Sequence, residues 1–291
     1  MLSRLAANNA YIAIHILLKK SKRLLVGRKS KIYFTIFLCS ILICMFDLFT
    51  FLTISITFVI AGGVKGVIGL GLPSISLGIL TAAIDLPTAM ALMIAPSFVT
   101  NIYQATTGGN TRLILLRIWP FLLMATFTVW IGTAALTRVD LDLLTLLLGF
   151  LLIIYGGLNL SGFCPTISSS KEFWIGLVFG ATNGILTGMT GSFAVPGIMY
   201  LKGIGLPRDM LVQAMGLLFF ASTAALALAL GTNALLSGQV VIASLFAVLP
   251  AQIGMWIGQN LRQRLSERQF GQLFLSGIIV LGIYILVSTM F

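Results

Sequence analysis

A lysine buried in apolar, glycine-rich sequence is the residue with the most chemistry to offer. Lys65 lies within Ala61-Gly62-Gly63-Val64-Lys65-Gly66-Val67-Ile68-Gly69-Leu70-Gly71-Leu72-Pro73. A charge in the middle of a membrane helix costs about 2.5–3.5 kcal/mol on insertion scales, so it is kept for a reason. Gly62, Gly63, Gly66, Gly69 and Gly71 weaken a helix by about 1 kcal/mol each relative to alanine. A helix broken in a membrane frees backbone groups, which is tolerated only inside protein or against a wet cavity. Pro73 suits the first turn of a new helix, and the unpaired N–H groups there favour an anion. Lys65, Gly66, Gly69, Gly71 and Ser74 are therefore candidate anion contacts. Two plainer readings stand beside this one. The glycines can serve close helix packing, and Lys65 can snorkel to an interface. A lysine at that depth is also a place where a proton can be exchanged during transport.

Two further stretches carry polar groups in apolar surroundings. The first is Gly180-Ala181-Thr182-Asn183-Gly184-Ile185-Leu186-Thr187-Gly188-Met189-Thr190-Gly191-Ser192, closed by Pro196. At a shift of 118 residues, Asn183 takes the place of Lys65 and Gly184 that of Gly66. Thr187, Thr190 and Ser192 add hydroxyls, each of which can instead bond a carbonyl one turn back. The second stretch is Ala95-Pro96-Ser97-Phe98-Val99-Thr100-Asn101-Ile102-Tyr103-Gln104. Ser97, Asn101 and Gln104 share a helix face at i, i+4, i+7 spacing. Gln213 is a weaker candidate of the same kind. Amides in membrane helices either glue helices together or line a path. Asp85 and Asp209 read as interfacial helix caps.

These residues need long apolar helices to position them, and the composition supplies little else. Of 291 residues, 58% are hydrophobic and 9% charged, with a mean hydropathy of +1.08. Soluble domains carry roughly 25% charged residues, so a soluble enzyme, a disulfide scaffold and a disordered chain are excluded. The apolar runs are long and lack strand-like alternation, so the spans are helices. The fold class is an all-α polytopic membrane protein. Helical segments are expected near 46–70, 73–84, 86–106, 112–137 and 141–160, then 172–190, 192–202, 208–230, 238–259 and 269–290. Each half has a Gly-broken first helix, a short Pro-started second and three full-length helices. Leu86-Pro87 recurs as Leu206-Pro207, a shift of 120. The organisation is a basic arm over 1–44, a transmembrane repeat over 45–160, a linker over 161–171 and a second repeat over 172–291. Duplicated halves with matching broken helices point to a midplane site between them.

Charge orients the repeats. With five crossings per half, Arg112, Arg117, Lys171, Lys202, Arg208, Arg262, Arg264 and Arg268 gather inside and only Arg138 stays outside. Four crossings per half spoil this segregation, so the repeats are expected to be inverted. The net charge of +11 belongs mainly to the arm: eight Lys and Arg precede Ile32 with no acidic residue among them. That arm reads as a lipid-headgroup contact rather than a nucleic-acid binder. Its inside preference conflicts with the outside start of the first helix, and initiation at Met45 would resolve the conflict. Cys39, Cys44 and Cys164 read as packing residues, and His15 has no partner for a metal or catalytic set. No nucleophile–base pair, paired carboxylates or phosphate-binding loop is present, so neither an enzyme nor an ATP-driven pump is expected and no cofactor is implied.

The three stretches resemble the sulfite exporter TauE/SafE family of membrane permeases. The resemblance rests on Gly62 to Pro73, Ala95 to Gln104, and Thr187-Gly188-Met189-Thr190-Gly191 with Pro196. It covers about residues 46–290. Gly69-Leu70-Gly71-Leu72-Pro73 departs from the commoner family pattern, Gly-x-Gly-Gly-Gly, which marks a divergent branch. The resemblance implies a duplicated helical unit in a bacterial inner (plasma) membrane that moves sulfite or organosulfonate-type anions. The expected function is a secondary transporter of small anions by alternating access. An anion channel and a non-transporting membrane scaffold are the alternatives.

Overall fold

The computed structural model describes residues 48–163, 165–262 and 266–291. The basic arm, His15, Cys39, Cys44, the Met45 start and Cys164 lie outside the described residues. The chain divides after Ile54 into two units. The described part of the first is the opening of helix α1 (Leu48–Ile68). The second, Ser55–Phe291, holds everything discussed below.

Eleven more helices follow among the described residues: α2 (Leu72–Ala83), α3 (Leu86–Leu92), α4 (Ile94–Thr106), α5 (Thr111–Phe127), α6 (Val129–Leu136) and α7 (Leu141–Leu160), then α8 (Glu172–Thr190), α9 (Gly197–Gly203), α10 (Arg208–Thr232), α11 (Gly238–Arg262) and α12 (Glu267–Met290). Taking α5 with α6 as one, seven are long and apolar enough to cross a membrane. The pair α3 and α4, bent by 44°, makes an eighth if it counts as one span. Helices α2 and α9 are about 18 Å and 10 Å long at 1.5 Å per residue, too short for a hydrocarbon core of about 30 Å. Outward faces are apolar, as on α5 and α6, where Leu113, Leu116, Trp119, Leu123, Phe127 and Ile131 are exposed at helical spacing. An apolar exposed stripe suits lipid, not water.

Three expected segments divide or shrink. The segment near 86–106 is two helices because Pro96 has no N–H to give the Leu92 carbonyl. Ser244 of α11 repairs this kink: its Oγ donates to the Leu92 carbonyl (2.9 Å) and accepts from Ala95 N (3.0 Å). The segment near 112–137 breaks at Thr128, whose Oγ1 lies 2.7 Å from the Met124 carbonyl and 2.9 Å from that of Ala181 on α8. The segment near 192–202 is helical only from Gly197, since Ser192 to Pro196 is irregular.

Glycines set the closest helix crossings. A Cβ on Gly62 would fall on the Ala251 carbonyl of α11, and one on Gly66 on the Met255 carbonyl. On α8, a Cβ on Gly180 would strike the Phe121 carbonyl of α5, and one on Gly184 the Ala125 carbonyl. Small residues here let backbones touch, as in membrane dimers. In both crossings residue numbers rise together, so α1 runs parallel to α11 and α8 parallel to α5. Other pairs run antiparallel. Phe98 meets Phe220 (ring centroids 5.0 Å) while Gln104 reaches Val212, which opposes α4 and α10. A Cβ on Gly149 would meet Leu286, and one on Gly156 would meet Leu275 and Ile279, which opposes α7 and α12.

Candidate functional site

The first helix ends where glycine permits it. Gly69 and Gly71 take left-handed φ values of +83° and +104°, strained for any residue with a Cβ. Gly69 N still reaches the Lys65 carbonyl (2.7 Å), closing α1. Helix α2 then opens at Leu72 with Pro73 in its first turn and Gly71, which has no side chain, at its cap. Its first intrahelical bond runs from Ile75 N to the Gly71 carbonyl (2.9 Å), so the Leu72 and Ser74 amides have no intrahelical partner.

Lys65 sits one turn before this break and is only 4% exposed. Its Nζ donates to Thr100 Oγ1 (3.1 Å) and to Asn101 Oδ1, both on α4. Both partners are neutral acceptors. Among the described residues no carboxylate pairs with it; Glu172 pairs instead with Arg117. An ammonium has three donors, and two are engaged. Asn101 Nδ2 and Ser97 Oγ, on the same face of α4, are buried without partners. Together Lys65 and this face offer one unengaged ammonium proton, an amide N–H₂ and a hydroxyl without acceptors. Buried polar atoms in native proteins are nearly all satisfied, and exceptions cluster where a ligand or water belongs.

The second break is built differently. Gly191 is left-handed (φ +72°), and Asn183 Oδ1 accepts from Gly197 N at the start of α9 (3.0 Å). Asn183 therefore caps the second short helix, and that N-terminus is occupied. Its Nδ2 is buried and unpartnered. Thr187 and Thr190 bond the Asn183 and Leu186 carbonyls (2.7 and 2.8 Å), the plainer role expected of them. Ser192 N donates to Thr190 Oγ1 (3.2 Å).

The breaks face each other across a narrow cavity of about 10 Å³, room for a single water. Leu70, Gly71, Pro73 and Ser74 line it from the first break, and Phe193, Ala194 and Ile198 from the second. Tyr155 of α7 and Phe219 of α10 complete it. A family model for the sulfite exporter TauE/SafE matches residues 54–285, four-fifths of the chain. The chain belongs to the TauE/SafE family. It is accordingly an integral, multi-pass membrane protein of a transporter family, and that family is not enzymatic. Neither a curated protein nor a solved structure matches it.

Several expected contacts of this TauE/SafE chain are used for packing. Gly66 and Gly184 lie in the two glycine crossings. Gln104 Nε2 donates to the Val212 carbonyl (2.9 Å) and Gln213 Nε2 to that of Ala105 (3.0 Å), so each glutamine grips the other's helix. Gln213 also receives Asn110 N (3.2 Å). Asp85 caps α3 through Thr88 N (2.8 Å), whereas Asp209 lies inside the first turn of α10, whose cap is Pro207. Tyr155, Phe193, Ile198 and Phe219 gave no signal in the sequence. In a chain this apolar, an aromatic facing a cavity reads like one facing lipid.

Proposed function

We propose that this chain is a secondary transporter of small anions, sulfite or an organosulfonate-type anion, working by alternating access between two inverted repeats over residues 45–160 and 172–291. The observation that carries the reading is the buried Lys65 among neutral acceptors, with Asn101 Nδ2 and Ser97 Oγ unpartnered beside it. A buried cation without a carboxylate has its charge left for a ligand. Ser74 and the uncapped start of α2 add donors. Gly69 and Gly71 allow the backbone to open there, and Asn183 and Thr187 hold the second break. With no carboxylate to fix its charge, Lys65 also offers a station for a coupled proton.

Reciprocal packing supports the repeats. The contacts Gly62–Ala251 and Gly66–Met255 recur as Gly180–Phe121 and Gly184–Ala125. The first partners shift by 118 residues and the second by 130. The helices that correspond between halves, α4 with α10 and α7 with α12, run antiparallel. Antiparallel partners favour inversion over direct repetition about an axis along the membrane normal. In this arrangement Arg112, Arg117, Lys171, Lys202, Arg208 and Arg262 fall at inner ends and Arg138 at an outer one.

Counterflow in proteoliposomes tests the reading. Unlabelled sulfite inside should drive saturable uptake of labelled sulfite or of a competing sulfonate. Flux that is neither saturable nor stimulated from the far side makes the chain a channel. No anion flux at all leaves the scaffold reading.

A further inference from the structure

We infer that Gln104 is the acceptor that makes the anion site select a monoanion bearing its own proton, hydrogensulfite in the case of sulfite, over a fully ionised oxyanion such as sulfate. The inference rests on the anion-transport reading and narrows it to one protonation state. Ser97 Oγ, Asn101 Nδ2 and Gln104 Oε1 are all buried without partners, at i, i+4 and i+7 on one face of α4. The first two can donate, but an amide oxygen can only accept. Which atom of Gln104 is left over is fixed by its neighbour. The Val212 carbonyl takes a proton from Nε2 (2.9 Å), so Oε1 points away from it. Gln104 lies one turn beyond Asn101, about 4.5 Å along the axis, and a long helical side chain leans back toward the N-terminus, here over Asn101. The first break approaches the same glutamine from the other side. A Cβ on Gly69, one turn past Lys65, would lie 4.0 Å from Val212 Cγ1. A Cβ on Gly216 of α10 would lie 2.9 Å from Gln104 Cγ, so α10 also holds the stem of the side chain.

Three donors and a fixed acceptor discriminate between anions. Sulfate has only acceptors to offer, so it would set an oxygen against Gln104 Oε1 and leave that oxygen unpaired. A site built around a ligand's proton rejects the analogue that lacks it, because its own buried group then goes unsatisfied. Charge argues the same way. Among the described residues Lys65 alone is a buried charged side chain. It cancels one negative charge, and the second charge of a dianion would stay buried without a counterion. Arg208 and Asp209 at the start of α10, and Arg112 at the start of α5, are exposed and supply nothing at that depth.

The test compares sulfite, methanesulfonate and sulfate at mildly acidic pH, where sulfite is hydrogensulfite. Affinities are read from thermal shift against concentration on the purified full chain, with Lys65→Met as the blank for general salt effects. Methanesulfonate matches hydrogensulfite in charge and size but has a methyl where the other has its proton. It should bind about 5- to 150-fold more weakly, the cost of an unpaired buried acceptor, and sulfate more weakly still. Gln104→Met removes the acceptor and should bind sulfite and methanesulfonate alike. If Gln104→Met does not fold, Gln104→Glu gives the converse: it keeps an acceptor and adds charge, so the preference for sulfite over sulfate should widen. Methanesulfonate or sulfate binding as tightly as sulfite, a preference that survives Gln104→Met, or one that narrows in Gln104→Glu overturns the role of Gln104 and leaves the anion reading standing. Failure of all three anions to bind overturns both.

Discussion

Replacing Lys65 by methionine separates a functional lysine from a structural one, because the two readings give opposite signs for stability. The wild-type charge costs about 2.5–3.5 kcal/mol at membrane depth, and methionine removes that cost. The substitution also strips Asn101 Oδ1 of its donor, a loss of about 1–3 kcal/mol for a buried acceptor. Thr100 is unharmed, since its Oγ1 still bonds the Pro96 carbonyl (2.8 Å). Methionine is close to lysine in length, so little cavity is left. The two terms nearly cancel, and Lys65→Met should unfold within about 2 kcal/mol of wild type, on the more stable side at mid-range. Binding should behave otherwise. Losing the charged partner of a buried anion costs about 2–5 kcal/mol, roughly 30-fold to several thousand-fold in affinity. Thermal unfolding in detergent and uptake of labelled sulfite into proteoliposomes measure the two quantities. A variant that is strongly destabilised yet transports normally would refute the reasoning, because Lys65 would then be holding helices and not substrate.

Other substitutions probe the frame around it. Gly184→Ala drives a Cβ into the Ala125 carbonyl and Thr128 Oγ1, and should cost about 1–3 kcal/mol, whereas the Cβ of Gly157→Ala meets nothing within 4 Å and should not lower the melting temperature. Asn183→Ala leaves Gly197 N without its acceptor and should lower stability by about 1–3 kcal/mol, seen as a lower melting temperature. Ser244→Ala orphans Leu92 O and Ala95 N at the kink. It should cost about 2 kcal/mol and speed hydrogen exchange at Ala95.

Helix extents were legible because glycine and proline punctuate this chain more strongly than anything else in it. Lys65 and the Ser97–Asn101 face were legible for a related reason: a polar group in apolar sequence needs an explanation. What each glycine does was not. Gly66 and Gly69 are three residues apart in one run, yet the first presses on Met255 and the second turns left-handed to end the helix. That difference is set by a partner helix nearly two hundred residues away. Gln104 and Gln213 were legible only as polar groups, since polarity alone does not tell a grip on a neighbouring carbonyl from a substrate contact. The Pro96 kink was legible, but its repair by Ser244 was not, because no local pattern pairs the two.

The crossing of α1 on α11 has a consequence for how the protein is made. Gly62 rests on a residue 189 positions later, while Gly180 rests on Phe121, made well before it. At about 5–20 residues per second, α1 waits on the order of 10–40 s for its partner, and α8 finds its own already in place. The second half therefore completes its tightest joint first. Until the ribosome reaches α11, the membrane carries a helix whose glycine-lined groove is still uncovered, although α4 is already there to meet its lysine. A truncation anywhere before Gly238 would leave it that way for good.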